Sequence, residues 1–517
     1  MSTIARCFGF FAVLMLSLPI AAPATQRPDA QHLVNAAITA MGGQQALTAI
    51  RAVKLEGVGH RNMLEQSIRP SGPWLPDYFK FSELRDFAHQ RKRVSEEHGG
   101  FGAIGWMTNQ DGWLPLTYVV ADGATARITK AGAAPNSPRA LTKAEEDLAL
   151  GPARVLLTAL AAPNLHTEAD VMLHGYQHHV VAWRWQGFPV RLYLNPRSAL
   201  PAAVEWVRPY PYNVFLNVWG DVTTRVTYGL WSLLPDGLRY PRFWSVERNG
   251  QPAMSRTIAA IHLNPAIDDS AFDIPDDVRA AYANRARTID ALPLGSAKRP
   301  PQDVAPGVVQ IAGAWNVALI RQNDGIVILE GPISSAYSAR VIDAAKKQFP
   351  GLPVKAVVTT SDAWPHIGGL REYVAQGIAV YALDLNTPIL KRLFTAPHTF
   401  RPDALAKQPR APRLTLVSTR TRLGSGANRL ELIPYRTQTG ERQMLVYFPA
   451  SQVLYTSDLF APIDAQHWFT PETVLEANNA VQREHLQVKT AFGMHYSATP
   501  WENIVQPGAA VKRNTRS

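Results

Sequence analysis

Residues 356–386, AVVTTSDAWPHIGGLREYVAQGIAVYALDLN, constrain the fold more than any other stretch of the chain. Residues 356–359 are short, apolar and β-branched. Residues 367–376 carry Leu370, Tyr373 and Val374 at helical spacing and stop at Gly377, and residues 378–383 are a second apolar run. The pattern predicts strand, loop, helix, strand. The loop at 361–366 then falls at the carboxyl end of a strand, where open α/β sheets place their chemistry.

The chain has 517 residues, too many for one core, which predicts two domains. The first residues read as a processing signal. Arg6 is followed by a nearly all-apolar run at 8–18 and by Ala22-Pro23-Ala24, which resembles a cleavage site. That run is too short to span a bilayer, and a periplasmic or secreted protein is expected. Cys7, the only cysteine, lies in the signal, so the mature chain has no thiolate for catalysis, disulfides or metal. Any ion must be held by His, Asp, Glu or water. The net charge is +11, but the bases are scattered (Arg91-Lys92-Arg93, Arg420, Arg422, Lys512-Arg513) and read as a solvated surface, not a nucleic-acid face.

Between residues 52 and 275 the pattern is mostly strands with turn signals, and tryptophan is frequent: Trp106, Trp113, Trp183, Trp185, Trp206, Trp219, Trp231 and Trp244. This predicts a curved antiparallel sheet. The prolines at 293, 300, 301 and 306 mark a linker. The expected division is a signal at 1–24, a β-rich domain at 25–282, a Pro-rich linker at 283–303 and a second domain at 304–510. The second domain opens with antiparallel-style strands, among them GIVILEGP at 325–332. A helix at 335–348 and alternating strands and helices follow.

The hairpin around residues 191–201 resembles the lipoprotein-carrier half-barrels of the bacterial envelope. The loop from Thr360 to Gly369 resembles the metal-binding loop of the metallo-β-lactamase superfamily, Thr-His-x-His-x-Asp-His-x-Gly-Gly. The resemblance covers roughly residues 304–505 and implies an αββα sandwich. The fold class expected is therefore two-domain α+β, with a half-barrel-like antiparallel sheet followed by that sandwich. The family builds a two-metal site that makes a hydroxide nucleophile. Mapped onto this sequence, the first two loop histidines become Ser361 and Ala363, and the loop aspartate becomes Pro365. No histidine occurs at 437–439, where another ligand belongs. His366 is kept, Asp458 matches the bridging aspartate in LYTSDLF, and His495 matches the final histidine in FGMH.

The resemblance thus implies at most one zinc or iron ion, on His366, Asp458 and His495, with Asp362 as the loop's only candidate general base. Two readings stand open. One is an exported hydrolase relative using that single metal. The other is a non-catalytic periplasmic binding protein for an apolar, amphiphilic or lipid-like small molecule, in which the triad is a relic held by its own hydrogen bonds. Gly368-Gly369 are expected to allow close packing, and Trp364 to pack. His178-His179 cannot both face one site, and Ser425 is read as a turn residue.

Overall fold

A computed structural model describes residues 29–67, 69, 72–100, 114–285, 287–437, 440–460 and 471–505. The expected signal, Trp106, Trp113, positions 438–439 and Lys512-Arg513 lie outside them. The architecture is mixed α/β with large antiparallel sheets. Among the described residues, no helix is long and apolar enough to cross a membrane.

Thirteen strands between Ala52 and Leu263 form one antiparallel sheet. Six run outward from Ala52–Ser67 to the edge strand Gly132–Pro135. Helices Arg139–Leu150 and Val155–Leu160 carry the chain to the opposite edge, His166–Leu173. Seven strands then return, until Gln251–Leu263 pairs with Ala52–Ser67, Val53 facing Leu263. The two edges are not paired with each other, so the sheet is open. Trp183, Trp206 and Trp244 pack with Ala30–Met41 and Val155–Leu160 in its core, as the aromatic content suggested.

The sequence did not suggest the charged network inside this sheet. Arg85 and Lys92 face each other across neighbouring strands, a like-charge pair that is unfavourable alone. Glu83, fully buried, takes Arg85 Nε at 2.5 Å, Arg256 at 2.8 Å and Lys92 at 3.1 Å. Lys92 also reaches Asp147 on helix Arg139–Leu150, pinning the helix to the sheet. Burial raises the Glu83 carboxyl, but the three cations outweigh it and hold the group well below the usual range. Lys92, read from sequence as surface, is 1% exposed.

From Gln302 the chain builds two further sheets. A seven-stranded sheet runs in sequence order from Gln302–Ala305 to Leu414–Val417. Its first four strands are antiparallel, and Gly325–Leu329, Val354–Val358, Ala379–Leu383 and Leu414–Val417 are parallel. A six-stranded sheet runs from Thr421–Leu423 to Tyr496–Pro500. Alternation assigns the faces. Ala318 and Ile320 meet Leu432, Val446 and Phe492 between the sheets, while Val317 and Leu319 meet Tyr337, Val341 and Tyr373 of the outer helices. Helices Pro471–Arg483 and Trp501–Val505 cover the other side through Val474, Ala477, Trp501 and Ile504. The layers are helix, sheet, sheet, helix.

The expected helix at 335–348 is present as Ser335–Gln348, capped by the Ser334 side chain. The single helix expected at 367–376 is two short pieces, Trp364–Ile367 and Leu370–Ala375, broken at Gly368-Gly369. A Cβ on Gly368 would lie 2.5 Å from Ile333 O, and one on Gly369 would lie 2.7 Å from Pro332 O. The helix breaks because the backbone of 332–333 needs that space.

The large sheet meets the sandwich beside the 361–366 loop. Trp219 packs edge-on against Trp364, ring centroids 5.0 Å apart, with Arg392 over its face. Asp221 accepts hydrogen bonds from Thr399 N at 2.6 Å and Phe400 N at 3.2 Å. Arg69 reaches Glu441 at 2.8 Å.

Candidate metal centre

Three loops at the strand ends of the sandwich converge. His366 closes the turn Trp364–Ile367, where Ile333 N donates to Pro365 O at 2.6 Å. Asp458 follows strand Val453–Tyr455 and is aimed by Ser457, whose φ of +58° is unusual for serine. His495 follows strand Thr490–Gly493 and is tied to the Asp458 loop, because Met494 N donates to Ser457 O at 2.9 Å. Gln310 Nε2 donates to Gly493 O at 2.9 Å and holds the same turn from the facing sheet.

The ligand atoms of His366, Asp458 and His495 all lie within 4.8 Å of one another. His366 Nε2 is 3.6 Å from Asp458 Oδ2, and the imidazole centroids are 6.1 Å apart. Gln443 Nε2 donates to Asp458 Oδ1 at 2.5 Å, and Trp315 packs edge-on to His366. Burial, with Arg442 nearby, pushes His366 down to about 3. Burial also lowers His495 to about 4, against the opposing pull of Asp458. Both rings are neutral at physiological pH, the form that coordinates metal. His366 Nδ1 is buried and has no hydrogen-bond partner among the described residues. Two neutral imidazoles and one carboxylate fit a single zinc or iron(II) ion.

Asp362 is buried and paired through Oδ1 with Arg442 at 2.5 Å. Burial raises its carboxyl pKa and the Asp458 charge adds to the rise, while Arg442 opposes both. Ser361 and Ala363 are also buried; the Ser361 hydroxyl accepts from Ala363 N at 3.2 Å. Sequence reasoning missed Arg442, Gln443 and Glu330. Only Glu330 left a visible signal, a carboxylate ending an otherwise apolar strand. Of the other singled-out residues, His178 is buried and His179 faces the opposite side, and Ser425 is exposed before a short turn of helix.

Glu330 supports the loop from behind. It lies against the Thr360 hydroxyl and takes Tyr455 OH at 3.1 Å. Burial lifts its carboxyl to about 8 and Asp458 adds to this, against hydrogen bonds from Thr360 and Tyr455. Thr360 has one hydroxyl proton and also lies 2.7 Å from Ser457 Oγ. That single proton serves either Glu330 or Ser457, not both at once. A carboxyl raised from 4.5 to about 8 gives stability that is complete below pH 4.5 and lost as pH rises through 8. Glu330→Gln should therefore gain on the wild type in thermal midpoint between pH 5 and 8.5. A difference that stays constant with pH would show that Glu330 is ionised.

No family model matches this chain, and no curated protein matches it. Solved structures similar to it include several metallo-β-lactamases. It is similar to TMB-1 at 14% identity, covering 44% of this chain and 99% of that one, with a TM-score of 0.33. It is similar to the metallo-β-lactamase of Pontibacter korlensis at 15% identity, over 41% and 95% of the two chains, TM-score 0.30. A sec-alkylsulfatase, Pisa1 from Pseudomonas sp., is similar at 17% identity over 41% of this chain and 40% of that one, TM-score 0.31.

Proposed function

We propose that this chain is an exported relative of the metal-dependent hydrolases whose site takes one zinc or iron ion on His366, Asp458 and His495. The observation that carries this reading is the convergence of those three ligand atoms within 4.8 Å. An ion bound there would supply an activated water and polarise the bond to be broken. The chain's own groups do the rest. Burial keeps both imidazoles neutral, Gln443 fixes the free carboxylate oxygen of Asp458, and Trp315 walls one side of His366. Asp362 is the proton acceptor in this reading, and its basicity depends on the contact with Arg442. A cavity of about 210 Å3 beside His495, lined by Arg299, Gln302, Gln310, Asn316 and Ser497, suits a polar group of the substrate.

Elemental analysis of dialysed protein tests the stoichiometry. At most one tightly held ion per chain is expected, because Ser361 and Ala363 offer no imidazole. Two tightly held ions would overturn the proposal.

The closed Asp362–Arg442 pair favours a second reading, a binding protein without turnover. A ligand in the cavity inside the large sheet would then meet Arg85, Lys143, Glu146 and Asp147, so its buried part would be polar and not purely apolar.

The division at 283–303 belongs to the same proposal. Ile289 is buried, and Arg340 donates to the carbonyls of Asp290 at 2.8 Å and Leu292 at 2.9 Å. Limited proteolysis should therefore cut the exposed residues 296–301 and leave two resistant fragments. First cleavage within 356–386 would argue against two domains.

A further inference from the structure

A cleft of about 800 Å3 opens between the Pro209–Gly220 side of the large sheet and the helical face of the sandwich, and none of the three metal-centre residues lines it. That volume is typical of a small-molecule site. Three carboxylates and three cations line it: Asp290, Glu372, Asp403, Arg401, Lys407 and Arg410. Their partners leave an imbalance. Asp290 has Arg401 at 3.1 Å. Asp403 has Arg371 through two nitrogens, at 2.5 and 3.0 Å. Glu372, 8% exposed, has only the Ser335 hydroxyl and the Gln376 amide, and among the described residues it meets no cation. Lys407 and Arg410 are exposed and meet no carboxylate among the described residues. One carboxylate and two cations are left over.

His398 adds a fourth group. Its side chain is 8% exposed, and Nδ1 faces Asp403 Oδ2 at 3.5 Å. Nε2 is buried and has no hydrogen-bond partner among the described residues. Burial lowers this imidazole to about 4, so it stays neutral. Gly220 allows the ring to sit there, since a Cβ would lie 2.5 Å from His398 Cδ2. A simple anion such as phosphate would satisfy the cations but face Glu372. A ligand with an ammonium, a polar group for His398 Nε2 and carboxylates satisfies all of them.

We propose that this cleft binds a short acidic peptide with a free amino terminus, its ammonium on Glu372, its carboxylates on Lys407 and Arg410, and a backbone amide group on His398. The proposal does not depend on the metal centre.

Titration calorimetry with the dipeptide alanyl-glutamate, its N-acetyl derivative and inorganic phosphate tests it on the full chain. The free dipeptide should bind, and N-acetylation should weaken it about tenfold or more, the usual scale for a charge-assisted contact. In Glu372→Gln that discrimination should vanish, with the thermal midpoint checking the fold. The exposed double change Lys407→Ala with Arg410→Ala should weaken the free dipeptide by about tenfold or more while leaving the fold intact. No heat from the dipeptide at about 1 mM would overturn the proposal, since that concentration marks the weak end of specific binding. So would phosphate binding more tightly than the dipeptide, or affinity unchanged in the double variant.

Discussion

Replacing His495 with alanine should leave the chain folded and unable to retain zinc or iron. Among the described residues His495 gives one of the three ligand atoms that converge at the site, and neither Ser361 nor Ala363 can replace it. The loss of metal affinity should exceed the roughly 10–100-fold that outer-shell changes usually cost. Gln443→Ala, which removes the hydrogen bond to Asp458 Oδ1, should fall within that smaller range. Turnover of an ester or lactone panel should disappear with the metal in His495→Ala, while the thermal midpoint shifts modestly. The experiment separates the two readings. A wild-type protein that holds no ion after loading and hydrolyses nothing in the panel would end the hydrolase proposal. An ion retained in His495→Ala would mean that the ligands lie elsewhere.

Glu83→Ala should be the most damaging single change in the large sheet. It would leave Arg85, Lys92 and Arg256 facing one another with fewer counter-charges in a region closed to water. Breaking a buried ion pair in this way costs about 3–5 kcal/mol. Urea unfolding should show a lower midpoint at an unchanged slope if two-state behaviour holds. Because the Glu83 carboxyl is held below 4.5, its contribution is present above that pH and lost as pH falls. The gap between wild type and variant should therefore narrow in acid. A cost below about 1 kcal/mol at neutral pH, the scale of surface pairs, would mean that the network is solvated.

The sandwich was legible in the sequence because its strands are buried on both faces. Gly325–Leu329 and residues 444–448 read as unbroken apolar runs for that reason. Helix Arg139–Leu150 was not legible, since its inward face carries Glu146 and Asp147 beside Ala144 and Leu148. Charges at core positions erase the apolar periodicity that marks a helix. The same charges hid the interior of the large sheet. Asp362 was visible as a loop carboxylate, but its partner Arg442 is 80 residues away and no local pattern joins them. His366, Asp458 and His495 were legible only through motif resemblance, because their meeting depends on three separate strand ends.

The pairing of Ala52–Ser67 with Gln251–Leu263 also bears on how the chain is made. Each half of the large sheet is a meander whose strands find their neighbours soon after synthesis. The central seam joins the first strand to the last, so it cannot close until Leu263 has left the ribosome. Contacts of such long range form slowly. Until then two unpaired strand borders, each more than ten residues long, stay open at the middle of the future sheet. A nascent chain in that state is the form most exposed to mispairing with its neighbours, and holding it apart is a natural task for a chaperone.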